Sequence, residues 1–150
     1  MADSNLRDNY NRGCVGDFLK EKLVEGADVS IVSAYFTIYA YEQIKDKLAQ
    51  VNDLKFLFGE PTFLKSVDPK KAIYRKYSIA DERLVISPED TLYQRKVAKD
   101  CAAWMKKSKV QIKSMVKPNF LHGKMYHVKE KGGVEQAIVG SSNFTVNGLG

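Results

Sequence analysis

The nine residues DVSIVSAYF, positions 28–36, are β-branched, small or aromatic and almost continuously apolar. Such a run suits a central strand covered on both faces rather than an edge strand with one wet side. Its neighbours extend the pattern. Upstream, in VGDFLKEKLVEG, Val15, Phe18, Leu19 and Leu23 recur at helical spacing, and Gly26 is placed to stop that helix. Downstream, a helix is expected from about Tyr39 to Ala49, with Ile44 and Leu48 four apart, and LKFLFGE at 54–60 reads as the next strand.

The segment 61–88 carries three prolines and mixed signals, and is expected to be irregular with one short helix. Order returns in SPEDTLYQRKVAKDCAAWMKKSK. Ser87 or the acids after Pro88 can cap a helix whose buried face holds Val97, Ala98, Cys101, Ala102 and Met105, leaving Trp104 off that stripe as a surface or interface anchor, or else a ligand-stacking residue. Three strands close the chain: VQIKSMV (110–116), GKMYHV (123–128) and EQAIVG (135–140), the last two joined across KEKGG. Strands separated by helices, followed by consecutive strands, give an α/β class: a mixed β-sheet flanked by helices on both faces, in a single domain over residues 1–150.

With 44% hydrophobic and 28% charged residues the chain has the composition of an ordered globular domain. No apolar run approaches the roughly 18–20 residues needed to span a bilayer, and the start, MADSNLRDNYNRG, is too polar for a secretory signal. A cytoplasmic protein without membrane contact is expected. Cys14 and Cys101 lack metal-ligand spacing and read as free thiols. A formal net charge of +6 favours a polyanionic partner. The excess concentrates between Arg95 and Lys117, where eight lysines and arginines face one acid, Asp100. Lys106, Lys107, Lys109, Lys113 and Lys117 are the candidate nucleic-acid-binding residues, as a phosphate-tracking surface beside the site; a merely solvated helix face is the plainer alternative.

Chemistry concentrates in NFLHGKMYHV (119–128) and VGSSNFTVNG (139–148). In a strand, side chains two apart share a face, so His122 and Lys124 are expected side by side, with Tyr126 next along that face as a packing residue, or else one that stacks on a base or ribose. His127 has the opposite parity and reads as a structural histidine. The GSSN turn offers the hydroxyls of Ser141 and Ser142 and the carboxamide of Asn143. An imidazole, an ammonium and an amide converging from neighbouring strands can grip a phosphate and attack it. That chemistry calls for no metal or other cofactor. Glu60 is a further candidate site carboxylate at the end of LKFLFGE, and Tyr35 a residue that could border the cleft.

His122-Gly-Lys124 followed by Gly140-Ser-Ser-Asn143 resembles the HxK and GSxN motif of the phospholipase D superfamily, most closely its nuclease-like branch, as in the single-motif N-terminal domains of bacterial helicases and restriction enzymes. The SSNFT run, the following Gly-Leu and the SAYF strand are similar to that branch too. The resemblance implies a sheet flanked by helices, with His122 as the nucleophile or as the acid that protonates the leaving oxygen. Lys124, Asn143, Ser141 and Ser142 would bind the phosphate. Because the chemistry needs two histidines, it also implies a homodimer in which a two-fold axis brings a second His122 to the site.

Two departures mark the chain. Lys129 stands where the family has an aspartate, and the chain ends at Gly150 before the family's downstream glutamate, as an N-terminal fragment of a longer protein would. The first expectation is a metal-independent phosphodiesterase acting on nucleic acid, in particular DNA, attached to a C-terminal helicase or ATPase region or a restriction enzyme. The alternative is a catalytically degenerate nucleic-acid-binding module of a helicase-like protein. A lipid-acting phospholipase fits the basic surface less well.

Overall fold

The computed structural model describes residues 6–8, 11–59, 78–79, 82–83, 91–115 and 121–150. Among the described residues are four helices, α1 (Val15–Lys22), α2 (Ile38–Leu48), α3 (Thr91–Met105) and α4 (Val146–Leu149), and the strands β1 (Asp28–Ser33), β2 (Asp53–Phe58), β5 (Val110–Ser114), β6 (Met125–Lys129) and β7 (Glu135–Val139), the last three consecutive. These strands form one mixed sheet in the order β5-β2-β1-β6-β7. A separate two-residue pair, β3 (Ser78–Ile79) with β4 (Glu82–Arg83), lies within the stretch expected to be irregular; the rest of 61–88 is outside the described residues.

β1 is central, as DVSIVSAYF predicts. It runs parallel to β2, with Ile31 opposite Phe56, and antiparallel to β6, with Ile31 also opposite Tyr126. Burial, however, alternates along it: Val29, Ile31 and Ser33 are buried while Ser30 and Val32 are half-buried. In-register partners share a face, so Val29, Ile31, Leu54, Phe56, Val110, Tyr126 and Val128 line one side of the sheet. This side packs with Leu19, Ile44, Leu48, Cys101, Trp104 and Leu149 of all four helices in a single core. The α/β class and mixed sheet are thus as expected. The described helices lie on one face; none of them covers the other, which carries Lys55, Lys113, His127 and Lys129.

Each helix follows from local signals. Thr37 caps α2, its hydroxyl accepting the Ala40 N–H at 3.2 Å. α1 ends at Lys22, and Gly26 takes φ +80°, a left-handed conformation favourable to glycine, in the turn into β1. In α3 the inward stripe is Val97, Cys101 and Trp104, at i, i+4 and i+7, whereas Ala98 and Ala102 are exposed. This corrects the sequence reading: Trp104 is 3% exposed, and its ring meets Tyr41 of α2 at 4.9 Å. Both cysteines are free, and burial pushes the Cys101 thiol up to about 12. Among the described residues no helix is long and apolar enough to cross a membrane.

Candidate functional site

β1 and β2 are parallel, so their carboxyl ends, Ser33 and Phe58, emerge at the same edge of the sheet. In open α/β sheets this is the edge where ligands bind. The antiparallel strand β6 begins there, and β7 ends there, with Met125 opposite Val139. His122 and Lys124 immediately precede β6, and Gly140 to Asn143 follow β7, so both parts of the motif meet at this edge.

Lys124 continues the inward parity of Tyr126 and Val128 and is 6% exposed. Its ammonium donates to the backbone carbonyl of His122 at 2.6 Å. His122 itself lies before the strand, with its side chain exposed. The expected strand pair is therefore a buried lysine and an exposed histidine ahead of the strand, not two neighbours on one pleat. The GSSN turn is tied to the same segment twice: the Gly140 N–H donates to the Lys124 carbonyl at 3.2 Å, and the Tyr126 hydroxyl to the Ser142 carbonyl at 2.9 Å. Tyr126 is buried, as a packing residue would be, and burial raises its phenol pKa. Ser141 is exposed and Ser142 half-buried.

The carboxamide of Asn143 is oriented by β1. Its Oδ1 accepts the Ala34 N–H at 3.2 Å and lies 3.3 Å from the Ser33 hydroxyl. A backbone N–H can only donate, so the oxygen must face Ala34 and the NH2 must face away from it. Ser33, fully buried, has one hydroxyl proton; it donates to the Tyr35 carbonyl at 2.6 Å and accepts the Phe144 N–H at 2.8 Å. Below these bonds Phe144 stacks on Phe36 at 5.4 Å, with Phe56 edge-on. Sequence reasoning missed Ser33. Its signal was a hydroxyl at the inward parity of an apolar strand, where a buried polar group must find partners.

The remaining candidates scatter. Lys106 and Lys107 are exposed in the turn from α3 into β5, and Lys109 donates to the carbonyls of Ala49 and Val51, both at 2.7 Å. All three lie at the amino end of β5, which is parallel to β2, and hence at the edge opposite the site. The expectation that they border the site is corrected by this topology. Lys113 is exposed on the face opposite the described helices. Lys117 and Glu60 are outside the described residues.

His127, on that same face, hydrogen-bonds Glu135 at 3.2 Å, in keeping with a structural role. Lys129 pairs across the hairpin with Glu135 at 3.3 Å. The hydrogen bonds from His127 and then Lys129 hold the Glu135 carboxyl below its usual range. Among the described residues no group of three or more His, Cys, Asp or Glu side chains could hold a metal ion.

Neither the curated proteins nor the solved structures contain a match to this chain. Residues 93–150, which include most of α3, strands β5 to β7, His122, Lys124 and the GSSN turn, match the family model described as the NgoFVII restriction endonuclease N-terminal PLD domain, and over this part the chain is similar to a phospholipase D-like nuclease domain.

Proposed function

We propose that the domain is a nuclease-type phosphodiesterase that acts on nucleic acid, DNA in particular, through His122, Lys124 and Asn143. The observation that carries this reading is the joining of the two motif halves: the Lys124 carbonyl accepts the Gly140 N–H, and Asn143 turns its NH2 away from the end of β1. A ring nitrogen of His122 attacks phosphorus, the P–N bond forms as the P–O bond to the leaving strand breaks, and water then hydrolyses the phosphohistidine. The ammonium of Lys124 and the NH2 of Asn143 neutralise charge on the non-bridging oxygens. The leaving oxygen needs a proton, and His127, on the other face and paired with Glu135, is badly placed to give it. A second copy of the chain supplies the acid through its own His122, which makes the active species a homodimer. Attachment to a helicase or restriction enzyme is part of the same reading and rests on the family likeness.

Cleavage of supercoiled and linear DNA in the presence of a chelator tests it. The wild-type protein should cut and His122→Ala should not; equal cleavage by both removes the mechanism. One observation favours a second reading, a binding module without turnover: Lys129 replaces the family's carboxylate and is paired to Glu135. That reading expects salt-dependent DNA binding with no cleavage by the wild-type protein.

A further inference from the structure

Gly59 follows β2 at the edge where the motif assembles, and it is buried. A Cβ at this position would lie 2.6 Å from the carbonyl oxygen of Leu121, 2.9 Å from the Leu121 Cβ and 3.4 Å from the Ala34 carbonyl oxygen. Its φ is not in the left-handed region, so the backbone conformation itself would accept alanine. What glycine provides here is room. The segment that leads into His122 lies directly against the Gly59 Cα, closer than any side chain would allow.

The same residue is tied to the other half of the motif. The Gly59 N–H is shared between the carbonyls of Ser33 at 3.0 Å and Ala34 at 3.2 Å, and the N–H of Ala34 in turn holds the Asn143 oxygen. One short stretch of backbone, Ser33–Ala34 with Gly59 bonded to it, therefore sets two distances. It fixes where the carboxamide of Asn143 stands, and how near the His122 segment can approach. Because the Lys124 ammonium donates to the carbonyl of His122, a displacement of that segment moves the ammonium as well.

We infer that Gly59 is a positioning residue: its missing side chain seats Leu121 and thereby sets the placement of His122 and Lys124 relative to Asn143. The inference rests on the phosphodiesterase reading for its catalytic consequence, though the geometric part can be read without activity. Misplacement of reacting groups by about 1 Å can cost on the order of 100-fold in rate. Gly59→Ala should thus lower kcat by roughly 10- to 100-fold while KM changes by less than about threefold.

The test compares Gly59→Ala with Val97→Ala, which trims a buried side chain of α3 away from the motif. Each is measured for melting temperature, for kcat and KM on a DNA substrate, and for the ring resonances of its histidines by NMR. The chain has two histidines, so His127, on the opposite face, serves as an internal reference. The expected result is that Gly59→Ala moves the His122 ring signals and leaves those of His127 in place, with kcat lost well beyond the effect of Val97→Ala at comparable melting temperature.

Unmoved His122 signals, or a kcat loss shared equally by Val97→Ala, would overturn it. If Gly59→Ala does not fold, Leu121→Gly, which removes the Cβ that lies against Gly59 without adding atoms, should shift His122 and not His127; no shift overturns the inference. A wild-type protein that cuts nothing, with the His122 signals still moved by Gly59→Ala, would sink the phosphodiesterase reading and leave the positioning role standing.

Discussion

The side chain of Asn143 and the backbone of Ala34, more than a hundred residues apart in sequence, are joined by a 3.2 Å hydrogen bond in which the amide N–H of Ala34 donates to Oδ1. The bond leaves the carboxamide one orientation. Asn143→Asp keeps an oxygen toward Ala34 but replaces the outward NH2 with a charged oxygen. Cleavage is expected to fall by about 100- to 1,000-fold, the usual effect of losing one donor to a developing oxyanion, with the melting temperature within a few degrees of wild type. Initial-rate assays beside thermal melts check this; a collapse of the fold would mean that Asn143 is structural first.

Ser33→Ala removes the hydroxyl that links the Tyr35 carbonyl to the Phe144 N–H in a fully buried position. Leaving a buried N–H without its acceptor costs about 1–3 kcal/mol, a fall of roughly 3–10 °C for a chain of this size. Chemical denaturation with an unchanged m-value would confirm that stability alone has altered.

The lysines at the far edge should separate into two kinds. Lys109→Ala loses two carbonyl contacts at the end of α2 and should cost about 1–2 kcal/mol, whereas exposed Lys106 and Lys107 should be neutral for stability. The five residues of β5 that separate them from the site's edge span about 17 Å. The double variant Lys106→Ala/Lys107→Ala should therefore keep kcat within about twofold, and a loss as deep as that of His122→Ala would contradict the topology.

Alkaline pH should weaken the fold. The Cys101 thiol is held up to about 12 from an ordinary value of 9.0, and the Tyr126 phenol is raised from 10.0, both by burial. Above about pH 9 the unfolded chain releases these protons while the folded chain keeps them, so stability present below pH 9 is lost as pH climbs toward the folded values. The slope is at most about 1.4 kcal/mol per pH unit per group. Melting curves from pH 8 to 11 should show the decline, with a shallower one in Cys101→Ala; a flat profile would refute it.

The sequence was most informative where periodicity and geometry coincide. The apolar run at 28–36 marks the central strand, and that Lys124 and Tyr126 share a face could be counted directly, though not that this face is the buried one. Trp104 was misjudged because the buried stripe was drawn through Ala98, Ala102 and Met105, whereas its spacing from Val97 and Cys101 places it inward. The role of Lys109 could not be read at all. Its partners are carbonyls of Ala49 and Val51, which become its neighbours when α2 and β5 are laid down, and no local pattern encodes that. The same holds for Gly59, whose purpose is visible only beside Leu121.

The central strand forms early in the chain but receives its antiparallel neighbour late, from residues 125–129. A ribosome must therefore deliver residues 125–129, about a hundred positions after β1, before the two strands can pair, and non-local pairing of this kind folds slowly. Until that closure Asn143 has no Ala34 to dock on, so a partly made chain carries the histidine without a working pocket. Turnover, once detectable, would report that folding is complete.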